Sequence, residues 1–142
     1  MKNDIDIDIT IPSHTRYLRM IGMIGEKVAQ EIDSSDEIRE SLPCQLAVVL
    51  TEGLVNAIKH ASSTAPDKDI HVRINVSNKN LVVRIYDNGV GFDLESVPTP
   101  CFTSSGMEEK GRGIFILRSL MDTVKYTKSD SGNVLEMRKK LA

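Results

Sequence analysis

The chain has 142 residues, 40% hydrophobic and 27% charged, with a formal net charge of −2, which is too short for two cores of ordinary size and makes one domain over residues 1–142 the expectation. Such a length buries about 68–70% of the unfolded surface, so no disulfide or metal staple is needed to hold a core. Mild acidity argues against a phosphate-backbone binder, and the absence of Trp with only 4% aromatic residues argues against a base-stacking platform, so no direct nucleic-acid partner is expected.

The acidic start MKNDIDIDIT lacks the apolar core of a secretory signal, and no run approaches the roughly 20 apolar residues of a bilayer span, so no membrane partner is expected. Ile5, Ile7, Ile9 and Ile11 alternate with Asp4, Asp6, Asp8 and Thr10, the period-2 pattern of a half-buried strand, which Pro12 and Ser13 end. Tyr17, Leu18, Ile21, Ile24, Val28 and Ile32 recur at helical spacing behind Ser13 as the expected N-cap, with Gly22 and Gly25 weakening the helix. After a polar stretch, Asp33 to Glu40, a second helix runs from Ser41 to about Ala61. It is apolar over most of its circumference through Leu46, Val49, Leu50, Leu54, Ala57 and Ile58, and is therefore a buried helix. Cys44 on it and the distant Cys101 lack metal-ligand spacing, which reads as two free thiols in a reducing cytoplasm.

Beyond a loop to Lys68, Ile70, Val72, Ile74 and Val76 alternate with polar residues, and Ser77 to Asn80 turns the chain into a strand from Leu81 to Asp87, a hairpin. About twenty residues without periodicity follow Asn88-Gly89-Val90-Gly91, a length that marks a functional lid or a disordered segment. A short helix, Ile114 to Met121, precedes a last hairpin, Val124 to Thr127 and Val134 to Arg138, around Ser129-Asp130-Ser131-Gly132. Two hairpins with interspersed helices predict an α/β two-layer sandwich, its sheet mixed and mostly antiparallel, with the helices on one face.

Three segments of this chain could carry chemistry. Glu52, Asn56 and His60 fall at i, i+4 and i+8 on the second helix, flanked by Gln45 and Lys59, so they share a narrow polar line. That line is either a solvated edge or a carboxylate and a carboxamide facing a common ligand, the first as proton acceptor and the second as an oxygen donor to Mg²⁺. His60, one turn beyond, is expected to cap or pack. Asp87 continues the apolar side of its strand after Val83 and Ile85, and a carboxylate there requires a donor. Gly89 and Gly91 behind it allow close approach to the backbone. Gly111-Arg112-Gly113 enters a helix, where free N–H groups together with Lys110 and Arg112 suit an anion. A P-loop sequence is absent, and the third glycine of the dinucleotide fingerprint is missing.

ExxxNxxxH on a helix, DNGVG after a strand and GRG before a helix, in this order, resemble the N, G1 and G2 boxes of the Bergerat-fold (GHKL) ATPases. TEGLVNAIKHA, YDNGVGFD and GRGIFILRSLMDTVKY look most like the anti-sigma factor serine-protein kinases within that superfamily. The resemblance implies ATP and Mg²⁺ as cofactors, with Asn56 holding the metal and Glu52 as general base or nucleophile-positioning group. It implies further that Asp87 accepts from the adenine amine, that Gly89 and Gly91 let the loop close on the base, and that Lys110, Gly111, Arg112 and Gly113 cradle phosphate beside an ATP lid over about 94–110. Which of Thr103, Ser104, Ser105 and Gly106 in that lid touches phosphate is left open.

By the same resemblance the activity is transfer of the γ-phosphoryl group to a serine or threonine of a partner resembling an anti-anti-sigma factor, and the chain binds a sigma factor when that partner is phosphorylated. A homodimer is left open. One alternative is a non-catalytic ATP-dependent switch module, against which the intact Glu52 weighs. Another is a histidine-kinase-type catalytic domain, against which weighs the lack of a dimerisation helix bearing His14, His60 or His71.

Overall fold

A computed structural model describes residues 4–61, 69–88, 94, 102–103, 106–107, 112–129 and 132–142. The chain opens on β1 (Ile5–Pro12), passes through a 3-10 turn (Thr15–Tyr17) into α1 (Leu18–Glu31), and continues through the short α2 (Asp36–Arg39) into α3 (Leu42–Ala61). A hairpin of β2 (Asp69–Ser77) and β3 (Asn80–Asp87) follows. Two-residue strands β4 (Phe102–Thr103) and β5 (Gly106–Met107) pair with each other, and α4 (Arg112–Leu120) leads to the hairpin of β6 (Thr123–Ser129) and β7 (Gly132–Lys140).

The main sheet has the order β1-β2-β3-β7-β6. The two-layer sandwich is as expected, and where a mixed sheet was allowed for, all four pairings are antiparallel. Alternation dictates its two faces. Ile70, Val72, Ile74 and Val76 of β2, Leu81, Val83 and Ile85 of β3, and Leu135 and Met137 of β7 are all buried against the helices. This apolar layer meets Leu46, Val49, Leu50 and Leu54 of α3, which are at most 1% exposed, so α3 is the spine of the core.

Two glycines that cost α1 helix propensity have a packing reason. A Cβ on Gly25 would lie 2.4 Å from Leu50 Cδ1 and 3.3 Å from the Leu46 carbonyl oxygen, and one on Gly22 would lie 3.1 Å from Thr51 Oγ1. Both positions therefore let α1 approach α3 more closely than any larger residue allows. The expected Ser13 cap is not found: α1 starts behind Tyr17 without a side-chain cap, and it is the preceding 3-10 turn that is capped, by His14, whose Nδ1 accepts from the Arg16 amide at 3.0 Å. The polar stretch before α3 also holds α2, a single turn too short to leave a periodic signal. At the β2–β3 turn, Asn78 and Lys79 have φ of 50° and 61°, the two positive values of a two-residue hairpin turn whose twist matches its strands.

The open face carries cross-strand ion pairs. Arg73 grips Asp6 through two bonds of 3.0 and 2.9 Å, His71 meets Asp8, and Glu136 accepts from Arg84 at 3.0 Å, and also from Arg138 of its own strand at 2.8 Å. Burial alone would raise the Glu136 carboxyl, but the bonds from Arg138 and Arg84 outweigh it and hold the group below its ordinary 4.5. A carboxylate depressed in the folded state contributes stability above its unfolded pKa and loses it as pH falls through the folded one. Glu136→Gln is thus expected to cost about 1 kcal/mol at neutral pH. Denaturant melts of the two proteins should converge as pH falls through the depressed folded-state pKa of Glu136; a cost independent of pH would assign the effect to packing.

Candidate functional site

α3 carries Glu52 and Asn56 on one line, both half-buried, while Lys59 beyond them is exposed. Two glycines fix where that line sits. A Cβ on Gly53 would lie 2.5 Å from Ile85 Cδ1, so α3 rests directly on β3 two residues before Asp87. A Cβ on Gly113 in the first turn of α4 would lie 3.1 Å from Glu52 Oε2. The entry of α4 and the carboxylate of α3, 60 residues apart in sequence, therefore adjoin, and a side chain at Gly113 would press on the Glu52 carboxylate. Free N–H groups of a helix entry beside a carboxylate make a cradle of mixed charge, suited to an anion accompanied by a cation.

Asp87 ends β3 on the helix-facing side and is 4% exposed. Its required donor is Asn133, directly opposite on β7, whose Nδ2 donates to Asp87 Oδ1 at 3.0 Å. Asn133 is itself 4% exposed. On β6 the hydroxyl of Tyr126 is buried, and burial first, then the Asp87 carboxylate, push this phenol above its ordinary range. Gly132 has φ of 139°, and a Cβ there would lie 3.1 Å from Asn88 Oδ1 and 3.3 Å from the Asp87 carbonyl oxygen; this glycine is required both for its backbone and for the approach. Asp87 and Asn133 are also among the residues that line a hollow of about 590 Å³ at these strand ends, most of whose other lining, Thr10, His71, Tyr86 and Val134, belongs to the open face of the sheet.

The structure brings Glu52 and Gly113 together at the α3–α4 seam, with the half-buried Asn56 one turn further along α3, and sets Asp87 at the end of the strand on which α3 lies. Arg112 is exposed at the first position of α4. Gly89, Gly91, Lys110 and Gly111 lie outside the described residues, as do the side chain of His60 and the whole of Cys101, whereas Cys44 is a free, exposed thiol. Of the segment expected as a lid, Leu94 is buried and its carbonyl oxygen accepts from Arg118 at 3.3 Å, tying its start to α4. Phe102–Thr103 and Gly106–Met107 form a small hairpin, where no periodicity predicts strands. Asn133, Tyr126 and Gly132 are additions that the sequence reading lacks. The signal for Asn133 is its place next to Gly132 on an otherwise apolar strand face.

Among the described residues no group of three His, Cys, Asp or Glu side chains could hold a metal. A Mg²⁺ that arrives on phosphate oxygens and keeps most of its waters needs only one or two protein oxygens. No helix among the described residues is long and apolar enough to cross a membrane.

The chain forms a helical layer on an antiparallel sheet, and the sequence profile of the histidine kinase-like ATPase domain matches its residues 11–139. The chain belongs to that family, the GHKL ATPases. It is similar to the serine-protein kinase RsbW of Bacillus subtilis (strain 168), 28% identical over 149 aligned residues that cover 99% of this chain and 89% of the relative. It is also similar to the serine-protein kinase RsbW of Oceanobacillus iheyensis, 26% identical over 148 residues, covering 100% and 90%. A solved structure of the RsbU and RsbW domains of a Mycobacterium tuberculosis protein superposes with a TM-score of 0.67 at 15% identity. It covers 96% of this chain and 32% of that longer one, and so shows the shared fold.

Proposed function

We propose that this protein binds ATP with Mg²⁺ in the cytoplasm and transfers the γ-phosphoryl group to a serine or threonine of a protein partner resembling an anti-anti-sigma factor. In the same reading it holds a sigma factor when that partner is phosphorylated. The observation that carries the reading is the juxtaposition of Glu52 with the entry of α4 at Gly113, because a proton acceptor belongs where phosphate oxygens and an incoming hydroxyl meet. Nearly full-length similarity to RsbW serine-protein kinases supports the choice of acceptor.

Each residue then has one task. Asp87, held by Asn133, accepts from the exocyclic amine of adenine, and Gly89 and Gly91 let the following loop close on the base. Lys110, Gly111, Arg112 and Gly113 present charge and N–H groups to the phosphates at the hinge of a lid over about 94–110. Asn56 offers its side-chain oxygen to Mg²⁺, which when bound neutralises phosphate charge. Glu52 takes the proton of the partner hydroxyl as that oxygen attacks the γ-phosphorus and ADP leaves with the bridging oxygen. Positioning and charge supply most of the acceleration, since phosphoryl transfer needs little covalent help from a protein.

A transfer assay with labelled ATP and the candidate partner tests this directly. Acid-stable label on the partner is expected; acid-labile label indicates phosphohistidine, and ATP binding without label indicates a switch module. Asn56→Ala is expected to weaken ATP binding in Mg²⁺ about tenfold while leaving binding in a chelator nearly unchanged. An equal loss in both conditions assigns Asn56 to structure.

A further inference from the structure

Tyr126 is a half-buried residue with a buried hydroxyl, for which the reaction outlined above has no use. It lies on β6 opposite Leu135, and Leu135 lies opposite Ile85. Asp87 and Asn133 are the next helix-facing positions along β3 and β7. The phenol therefore starts two strands away from Asp87, roughly 10 Å across the sheet, on the same face and one pleat behind. A tyrosine is long enough to span most of that distance and an aspartate supplies the rest. The ring packs on the core, and the hydroxyl is buried. Asn133 Nδ2 donates to the Asp87 carboxylate at 3.0 Å, and that carboxylate also raises the phenol of Tyr126, whose strand position places it on the same face within reach.

We infer that Tyr126 is a positioning residue for Asp87, its hydroxyl and the Asn133 amide together turning the carboxylate so that its remaining acceptor sites face the amine of the purine. Because the phenol is raised above its ordinary range, it stays protonated and able to donate at every pH at which the protein works. A carboxylate held by two donors on one side is an acceptor of fixed direction, which rewards an exocyclic NH₂ and gives nothing to a base without one. This inference rests on the reading of Asp87 as the adenine acceptor, and its test separates the two.

Tyr126→Phe keeps the ring and its packing and deletes only the hydroxyl. Calorimetry would compare wild type and variant with ATP and with purine riboside triphosphate, which differs from ATP only in lacking the 6-amino group. The expected result is an ATP affinity about 5- to 10-fold lower in the variant, the effect of one hydrogen bond, with affinity for purine riboside triphosphate changed less than twofold. Thermal melts of both proteins check that the variant is folded. A parallel loss for both nucleotides would assign Tyr126 to packing, and no loss for either would remove it from the site; both overturn the inference while leaving Asp87 in place. Equal wild-type affinity for the two nucleotides would overturn the reading of Asp87 itself, and the inference with it.

Discussion

Glu52→Gln is expected to lower phosphoryl transfer by roughly 10²- to 10⁴-fold, the usual contribution of a positioned general base, while ATP still binds. The substitution is nearly isosteric, leaves Asn56 one turn away untouched, and keeps an oxygen or nitrogen where Glu52 Oε2 now adjoins Gly113. It removes only the ability to accept a proton. Rates must be measured with ATP and partner both saturating, so that a loss in kcat is not confused with weaker binding. Such a variant should also hold ATP and the acceptor together without turnover, which size-exclusion chromatography would detect. Wild-type transfer by the variant would end the general-base assignment and leave Glu52 as a polar edge of the core helix.

For Asp87→Asn the expectation is a loss of ATP affinity of roughly 10²-fold or more with the fold retained, and Asn133 is the reason the effect should be large. A carboxamide has one accepting end and one donating end. Asn133 Nδ2 already donates to this position at 3.0 Å, so the new side chain keeps its oxygen toward Asn133 and turns its NH₂ toward the base. Donor then meets donor in a buried site, where an unmatched polar pair costs about 1–3 kcal/mol in addition to the bond lost. Calorimetry with ATP and Mg²⁺ measures it, with a thermal melt as control. Affinity within threefold of wild type in a folded variant would remove Asp87 from the base pocket.

Periodicity made the larger elements legible. The alternating isoleucines of β1, the all-round apolar character of α3 and the β2–β3 hairpin each announce both a conformation and a face, because burial on one side leaves a pattern in the residues themselves. The sheet order is less accessible. Nothing local says that β7 lies between β3 and β6, and pairing Asn80 with Lys140 follows from tertiary competition for the central strand. The same limit governs the site. Glu52, Asn56 and Asp87 stand out as polar residues on or beside apolar faces, and their proposed roles come from the motif resemblance rather than from that placement. Asn133 and Tyr126 become meaningful only once their strands are known to stand beside Asp87, and the need for glycine at Gly53 and Gly113 shows only when the partner surfaces, Ile85 and Glu52, are in place.

Insertion of the last strand into the interior of the sheet has a consequence for biosynthesis. β3 is made some fifty residues before the strand that covers its second edge, so during vectorial synthesis the hydrogen-bonding edge of β3 that β7 will occupy stays exposed until the chain has been extended through Lys140. An uncovered apolar strand edge invites pairing with other chains. The nascent domain is therefore most vulnerable until β7 has been made, and its folding rate is governed by a long-range closure rather than by local turns. Asp87 meets Asn133 in the same late step, so this buried pair is assembled only as the sheet closes.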